Sequence, residues 1–334
     1  MRYVTTDNIV ADSVIAKAIT DENNKILLNK GNKVTSRILE KLKDLDIQGI
    51  FIEDDNFNDI ETEDVNLQEL KNKALLLLSK QKYQECVYVA KEFVEFFLNT
   101  KIEEINILDI KNNQNYTYKH SIMCCIYSLI IGIELGLEET QLEHLAVAAL
   151  LHDIGKFDIP KEILYKQEKL TSLEYEVIKK HPANAYKKLE NIFEISPLSR
   201  NAILYHHENI DGSGYYNLPK EKQTIYTKIL HIVDIYDSLT SIRKHRGAYS
   251  HAEAIEYIMG NTNKLFDEEV VKVFINKFPL YPIGITVHLS NGQKAVVYSN
   301  KKSKIRPTIK TFDGDFIDLS ESIQYRSVTI LGIE

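Results

Sequence analysis

The pattern of apolar and polar positions divides the chain into stretches with different periods. From about Leu67 to Lys277, apolar residues recur at the three- and four-residue spacing of amphipathic helices. After Pro282 the period changes to two, as in Ile283–Leu289, and the triplet Ser290-Asn291-Gly292 is typical of a hairpin turn. The first fifty or so residues alternate short strand and helix patterns. The sequence therefore predicts a mainly α protein with a small N-terminal α/β unit and a small C-terminal β appendage.

These patterns predict four segments. Residues 1–60 form the small α/β unit, residues 61–100 a helical linker, residues 101–277 the main helical domain and residues 278–334 the small β unit. The acidic stretch from Glu53 to Asp64 has no periodicity and is interpreted as an exposed linker. The first segment contains neither histidine nor cysteine. We therefore expect the flanking units to be regulatory or structural, and the chemistry to lie in the helical middle.

Composition and charge exclude several classes of protein. Apolar residues make up 44% of the 334 residues and charged residues 27%, which excludes a disordered or collagen-like chain. The formal charge of −7 argues against nonspecific nucleic-acid binding. The longest apolar run, from Met123 to Ile133, is too short to span a bilayer, and the first residues lack the apolar core of a signal peptide. Three cysteines, two of them adjacent, do not form a disulfide framework, so we expect a cytoplasmic protein without membrane insertion.

Histidine and aspartate are concentrated in the helical middle. Asp234 stands in a strongly apolar helical context, where a lone carboxylate would be costly to bury and a divalent cation would remove that cost. For any one of the histidines alone, a hydrogen-bonded core or surface imidazole is the commoner explanation. Taken together, seven side chains would make a complete site for two metal ions. They are His120, His152, Asp153, His181, His206, His207 and Asp234.

Three motifs occur in a fixed order around these residues. Leu150–Lys156 reads LLHDIGK, His206–Tyr216 reads HHENIDGSGYY and Asp234–Arg243 reads DIYDSLTSIR. This ordered set resembles the HD-GYP family, a branch of the HD superfamily of metal-dependent phosphohydrolases whose members typically hydrolyse cyclic di-GMP. The resemblance covers about residues 101–275. It implies an HD-type helical bundle with phosphodiesterase activity, acting through a hydroxide that bridges two metal ions.

The resemblance also implies a ligand set. Asp153 would bridge two divalent ions; His120, His152 and Asp234 would complete the shell of one, and His181, His206 and His207 that of the other. Because the set contains imidazoles and carboxylates but no thiolate, iron or manganese is expected rather than structural zinc. Some family members bind a third ion through a glutamate, but Tyr116 occupies that position in this chain. We therefore expect two ions.

Three basic residues match family positions that contact ligand phosphates. They are Lys156, Arg243 and Arg246. A guanidinium engages phosphate oxygens in pairs and an ammonium adds a point charge, so these residues suit cyclic di-GMP. Asp153 and Lys156 are the expected catalytic residues, and the products would be pGpG, GMP or both. Two alternatives stay open: hydrolysis of another cyclic dinucleotide such as cyclic GMP-AMP, and a catalytically silent receptor for cyclic di-GMP.

Two positions depart from the family pattern. Tyr216 replaces the proline of the Gly-Tyr-Pro loop, which is expected to loosen that loop or change the protein partners that dock on it, while leaving activity intact. His245 stands where a tyrosine is usual, which would change how a base is stacked. Of the other histidines, His144 is expected to be exposed and His231 not to be a ligand. Cys124 and the adjacent cysteine are interpreted as small core residues, and a homodimer stays open.

Overall fold

The computed structural model describes residues 1–20, 25–45, 47, 49–60, 65–100, 116–164, 166, 168–241 and 249–333. The described residues form two compact units. The terminal unit contains residues from 1–65 together with residues from 278–333, and the helical unit contains residues from 66–100 and 117–277. The mainly helical fold class predicted from the sequence is confirmed, with helices in the middle of the chain and a sheet at its C-terminal end. The four segment boundaries stay a prediction.

The N-terminal part of the terminal unit has two short antiparallel strand pairs and one helix. Strand β1 (Arg2–Thr5) pairs with β4 (Gly49–Ile52), and β2 (Ile19–Thr20) pairs with β3 (Ile26–Leu28). Helix α1 (Ser36–Asp44) begins after Thr35, whose side chain accepts a hydrogen bond from the Ile38 N–H. The alternation of short strands and a helix that the sequence predicts for the first fifty or so residues is thus present.

The C-terminal part of the terminal unit is a five-stranded antiparallel sheet. Its strand order is β8-β7-β6-β5-β9. The strands are β5 (Thr286–Leu289), β6 (Lys294–Ser299), β7 (Thr308–Thr311), β8 (Phe316–Asp318) and β9 (Ile330–Ile333). The predicted turn after β5 is present, and Gly292 adopts a left-handed φ of 84° there. Strand β7 has no period-two pattern in the sequence, because Ile309 is its only apolar residue.

Both ends of the chain contribute to the terminal unit. The Tyr3 N–H donates to the Gly284 carbonyl at 2.8 Å. Phe57 is 0% exposed and belongs to a small apolar cluster with Ile60, Ile283 and Val296. The prediction of an exposed acidic linker was therefore wrong for its described part. Two apolar side chains within that stretch are buried, while the neighbouring carboxylates stay at the surface.

Two helices of the helical unit are buried over most of their length. The helices are α2 (Val65–Ser79), α3 (Tyr83–Asn99), α4 (Tyr116–Glu134), α5 (Glu139–Leu151), α6 (Lys161–Leu164), α7 (Ser172–Ile178), α8 (His181–Leu189), α9 (Pro197–Tyr205), α10 (Ile225–Thr240), α11 (His251–Gly260) and α12 (Glu268–Lys277). Helices α4 and α5 are apolar on nearly all faces, as expected of core helices. Helix α5 packs against α3, α9 and α10. None of the described helices combines the length and apolarity that crossing a bilayer requires.

Candidate metal centre

The candidate ligands lie on or directly after five helices, and these parts of the helices meet at the site. His120 lies in the second turn of α4 and Asp234 in the middle of α10. His152 and His206 follow the last residues of α5 and α9, and His181 is the first residue of α8. The C-terminal ends of α5 and α9 carry partial negative charge from unpaired carbonyls, which favours a cation nearby. All five side chains are buried.

The first histidine group consists of His120, His152 and Asp234. The Nε2 atoms of His120 and His152 are 3.3 Å apart. The Oδ1 atom of Asp234 is 3.1 Å from the His120 Nε2 and 4.0 Å from the His152 Nε2. The structure therefore brings together the three side chains that the sequence assigned to one ion.

The second histidine group consists of His181, His206 and His207. The His181 Nε2 is 3.2 Å from the Nε2 of His206 and 3.2 Å from that of His207. The His207 Nδ1 faces Asp234, whose Oδ2 is 3.6 Å away. Asp234 thus has one oxygen toward each histidine group, which the sequence did not indicate.

Asp153 lies between the two groups. Its Oδ2 is 3.6 Å from the Nε2 atoms of both His120 and His152, whereas its Oδ1 is 3.4 Å from the His181 Nε2. The carboxylate is 1% exposed, and its Oδ1 has no hydrogen-bond partner in the described part of the chain. A buried, unpaired carboxylate oxygen is costly unless a cation or donor meets it. This placement is the one that a bridging ligand needs.

The hydrogen bonds of the imidazoles determine which nitrogen faces the site. The Nδ1 atoms of His152, His181 and His206 lie 2.8, 2.8 and 2.7 Å from the main-chain carbonyls of residues 149, 178 and 203. A carbonyl only accepts, so Nδ1 carries the proton and Nε2 presents a lone pair. Where two of these Nε2 atoms lie close together, the lone pair of one therefore faces the lone pair of the other. Ligands bound at about 2.1 Å to one ion are separated by about 3.0–3.4 Å, so a cation suits this spacing.

The electrostatics of the site keep these groups in the form that binds metal. Burial lowers the pKa of both His181 and His206 to about 3, so each stays neutral at pH 7. Burial alone would raise the pKa of Asp153, but the Lys156 ammonium and the neighbouring imidazoles hold it well below its usual range. The pKa of Asp234 is likewise held well below its usual range by the imidazoles around it, with His120 the nearest. Neutral imidazoles and ionised carboxylates are the ligand forms that divalent ions require.

Asp237 is a functional residue that the sequence interpretation missed. Its Oδ2 lies 2.7 Å from the His120 Nδ1, and both side chains are buried. The imidazole donates to this carboxylate and presents Nε2 to the site, which is the arrangement of a carboxylate–histidine–metal relay. Asp237 stands three residues after Asp234 on α10, so the two carboxylates share one helix face. That spacing was the signal available in the sequence.

The loop after His207 is held by a buried carboxylate. Glu208 is 1% exposed and accepts hydrogen bonds from the Tyr216 N–H at 2.6 Å and the Leu218 N–H at 2.7 Å. A proline at position 216 would have no N–H to donate, so the replacement adds a bond to this loop. The adjacent Tyr215 ring packs against the His207 imidazole with centroids 4.5 Å apart. Tyr215 thus lies at the exposed side of the second histidine group.

The predicted phosphate contacts are only partly described. The Lys156 ammonium is 2.5 Å from the Asp153 Oδ2, and the Lys156 side chain is 16% exposed. Arg243, His245 and Arg246 lie outside the described residues. Gly155 passes so close to α8 that a Cβ atom there would lie 2.0 Å from the His181 carbonyl oxygen. Glycine at this position therefore lets Lys156 and Asp153 approach the second histidine group.

Cys124 and His144 lie outside the proposed ligand set and differ in how deeply they are buried. Cys124 is fully buried with its Sγ 3.8 Å from both ring nitrogens of His120. Burial raises the pKa of its thiol to about 12, so it contacts the ring as a neutral core side chain. His144 was predicted to be exposed but is partly buried. This difference arises because its neighbours on α5 form the core of the unit.

Three observations of the site agree with bound divalent cations. They are the facing lone pairs, the unpaired Asp153 oxygen and the convergence of two carboxylates with five imidazoles in a buried space. A profile of the family described as HD domain matches residues 104–270. The chain belongs to the HD domain family. The resemblance to the HD-GYP branch, first drawn from the three motifs, is confirmed by the family match and by similar proteins.

Similar proteins match this chain over part of their length. A cyclic di-GMP phosphodiesterase of Pseudomonas aeruginosa is 33% identical over 62% of this chain and 50% of that protein. A 3'3'-cGAMP-specific phosphodiesterase of Vibrio cholerae is 30% identical over 56% of this chain and 43% of that protein. The chain thus spans about half the length of the curated relatives it matches. The structure of an HDG"Y"P protein from Bdellovibrio bacteriovorus shares the fold, with a TM-score of 0.50 and 19% identity over 81% of this chain and 97% of that one.

Proposed function

We propose that this protein is a metal-dependent phosphodiesterase that hydrolyses cyclic di-GMP to pGpG, GMP or both. The observation that carries the proposal is the position of Asp153. Each of its two oxygens faces one group of imidazoles. The Nε2 atoms of these imidazoles carry lone pairs rather than protons. A pair of divalent ions in this site would supply a nucleophile from water near neutral pH and draw charge from the phosphate oxygens. The relatives named cyclic di-GMP phosphodiesterases support this substrate.

Each proposed ligand has a defined task. His120, His152 and Asp234 would hold one ion, His181, His206 and His207 would hold the other, and Asp153 would lie between them as a shared ligand. The carbonyl and carboxylate partners of the Nδ1 atoms orient the rings before any ion arrives. Because all donor atoms are imidazole nitrogens and carboxylate oxygens, we propose iron or manganese as the ions. Tyr116 replaces the carboxylate that a third ion would need.

Lys156, Arg243 and Arg246 are proposed to bind the phosphates. Lys156 approaches Asp153 from the partly exposed side of the site, so its ammonium can reach a phosphate that spans the two ions. A positive charge there would offset the charge that develops on the phosphate oxygens. Lys156 is therefore proposed as catalytic together with Asp153. The cytoplasm is the proposed location, since cyclic dinucleotides and three reduced cysteines are both compatible with it.

A second candidate substrate is 3'3'-cyclic GMP-AMP. The specific observation that favours it is the Vibrio cholerae relative named for that substrate, whose identity of 30% is close to the 33% of the Pseudomonas aeruginosa protein. Both substrates present the same phosphodiester to the ions, so the choice depends on how the bases are bound. A silent receptor is less well supported, because every proposed ligand position carries a metal-binding side chain.

The test is turnover with measured metal content. The full chain, loaded anaerobically with Fe²⁺ or separately with Mn²⁺, is incubated with cyclic di-GMP, cyclic GMP-AMP and cyclic di-AMP, and products are separated by chromatography. We expect two ions per chain, as elemental analysis would report, and fastest conversion of cyclic di-GMP. Faster turnover of cyclic GMP-AMP would select the second candidate. A fully loaded protein that binds cyclic di-GMP without cleaving it would show a receptor instead.

A further inference from the structure

His231 is a buried histidine that none of the proposed ligand roles uses. It lies on α10, three residues before Asp234, and is 4% exposed. Its Nδ1 is 2.9 Å from the main-chain carbonyl oxygen of His206. Because a carbonyl only accepts, the imidazole carries its proton on Nδ1 and donates it to this carbonyl. The ring therefore makes a directed bond to the backbone of a proposed ligand.

The rest of the His231 ring makes no comparable polar contact. Its Nε2 is buried and has no hydrogen-bond partner among the residues that the structure describes. The ring packs against Phe266 with centroids 5.4 Å apart. Burying an unpaired nitrogen is unfavourable, a penalty that an aliphatic side chain of similar size would not have. The contribution that distinguishes histidine from leucine here is thus its bond to the His206 carbonyl.

The carbonyl that His231 contacts belongs to the peptide linking two proposed ligands. That peptide joins His206 to His207, and the His206 ring is separately oriented by the Ile203 carbonyl at 2.7 Å. His207 is the more exposed of the two, and its described nitrogen contacts are to His181 and Asp234 rather than to the backbone. A bond that fixes the connecting peptide therefore limits how far His207 can move.

We propose that His231 is a positioning residue that ties the His206–His207 peptide to α10, the helix that carries Asp234. It acts through the backbone and does not contact the ions. The inference rests on the proposed function only in assuming that the second histidine group holds an ion. Its consequence is that the ion held by His181, His206 and His207 binds more tightly because the peptide is held in place before binding.

The experiment compares His231→Leu with His231→Asn and with a matched control, His144→Leu. The asparagine amide can place an N–H near the position of Nδ1, whereas leucine fills the space without a donor. His144 is also a partly buried histidine, and its Nδ1 has no hydrogen-bond partner among the described residues. Metal-free full chain is titrated with Mn²⁺, and both stepwise affinities are measured along with the melting temperature before metal is added.

We expect His231→Leu to weaken one of the two Mn²⁺ affinities about 10-fold while the other stays within a factor of two or three. His231→Asn should recover most of that loss, and His144→Leu should bind like the wild type. The metal-free His231→Leu protein should melt close to the wild-type temperature, because the loss of the unpaired nitrogen offsets the loss of the bond to the His206 carbonyl.

Three results would overturn the inference. They are unchanged Mn²⁺ affinity in His231→Leu, equal weakening in the leucine and asparagine variants, and a loss of both affinities together with a lower melting temperature. The last result would assign His231 a general structural role. The titration decides the role of His231 whichever way hydrolysis of cyclic dinucleotides turns out, so failure of the proposed substrate would be recognised separately.

Discussion

The two compact units bury different kinds of side chain. In the terminal unit the buried residues are almost all apolar, as in the clusters around Phe51 and Val297. Its ion pairs Arg2–Asp54 and Lys310–Asp59 keep partial exposure to solvent. In the helical unit the core includes histidines and carboxylates, among them His152, Asp153 and Asp234. Burying charge is unfavourable unless something compensates it. The contrast indicates that one unit has a conventional apolar core, and that the core of the other is arranged to bind cations.

Of the substitutions that distinguish the helical unit from the terminal unit, Asp153→Ala is expected to have the largest effect. Removing the bridging carboxylate should abolish turnover, by about 10³-fold or more, because several kcal/mol of transition-state stabilisation come from the paired ions. Metal content should fall with it. Elemental analysis and a turnover assay on the same preparation check this, with circular dichroism to establish that the protein is folded.

Lys156→Ala is the matched control for Asp153→Ala. It should keep both ions and lose activity or substrate affinity, since the ammonium is proposed to contact phosphate rather than metal. If the Lys156 variant lost its ions while the Asp153 variant retained them, the roles assigned to the two residues would be wrong.

In the terminal unit, Phe57→Ala should destabilise without touching the metal site. Phe57 is fully buried, and its ring meets Phe312 edge-on at 5.1 Å. Truncation should lower the free energy of unfolding of this unit by about 3–5 kcal/mol. Hydrogen exchange in β1 and β6 would report the loss, and metal content should stay at the wild-type value.

Phe316→Ala is a control for this effect, because Phe316 is 53% exposed. We expect it to change stability by less than about 1 kcal/mol. A Phe57 variant that lost metal as readily as it lost stability would show that the terminal unit supports the site, which would break the contrast between the units.

Acid should destabilise the metal-free helical unit through its buried imidazoles. The folded-state pKa of His181 and of His206 is about 3, below the ordinary value of 6.5. The unfolded chain therefore takes up protons first, so stability is constant above pH 6.5 and falls as the pH drops toward 3. The slope is about 1.4 kcal/mol per pH unit for each imidazole.

Denaturant unfolding in chelator at pH 8, 7, 6 and 5 measures this slope. His206→Leu should reduce it, whereas His288→Ala, a substitution in the terminal unit, should leave it unchanged. A wild-type stability that stayed flat between pH 7 and 5 would contradict the prediction.

The smallest of these effects is expected from Asp237→Ala. This carboxylate orients His120 through a 2.7 Å contact and does not reach the ions itself. Its loss should weaken metal binding about 10- to 100-fold, and Asp237→Asn should have a smaller effect because its amide oxygen still accepts from Nδ1–H. Metal titration of both variants checks the order. Equal loss in both would mean that the negative charge matters more than the hydrogen bond.

The sequence predicted the helical middle, the terminal strands and the set of candidate ligands. Helix and strand periods are local properties, so they can be recognised within a short window of sequence even when the fold is unknown. The candidate ligands were found because His152-Asp153 and His206-His207 stand in long, ordered motifs. The same motifs indicated the HD-GYP resemblance, and with it the expected pairing of ligands around two ions.

Tertiary structure alone decided which other side chains serve the site. The spacing of Asp237 from Asp234 was visible in the sequence, but the roles of Asp237, Glu208 and His231 depend on partners that fold beside them. Those partners are His120, the Tyr216 N–H and the His206 carbonyl. The sequence likewise did not indicate that the N-terminal and C-terminal segments meet in one unit, where the Tyr3 N–H donates to the Gly284 carbonyl. Periodicity reports which face of an element is buried, but not which distant residue meets it. That information exists only once the chain has folded, because it depends on contacts between residues far apart in sequence.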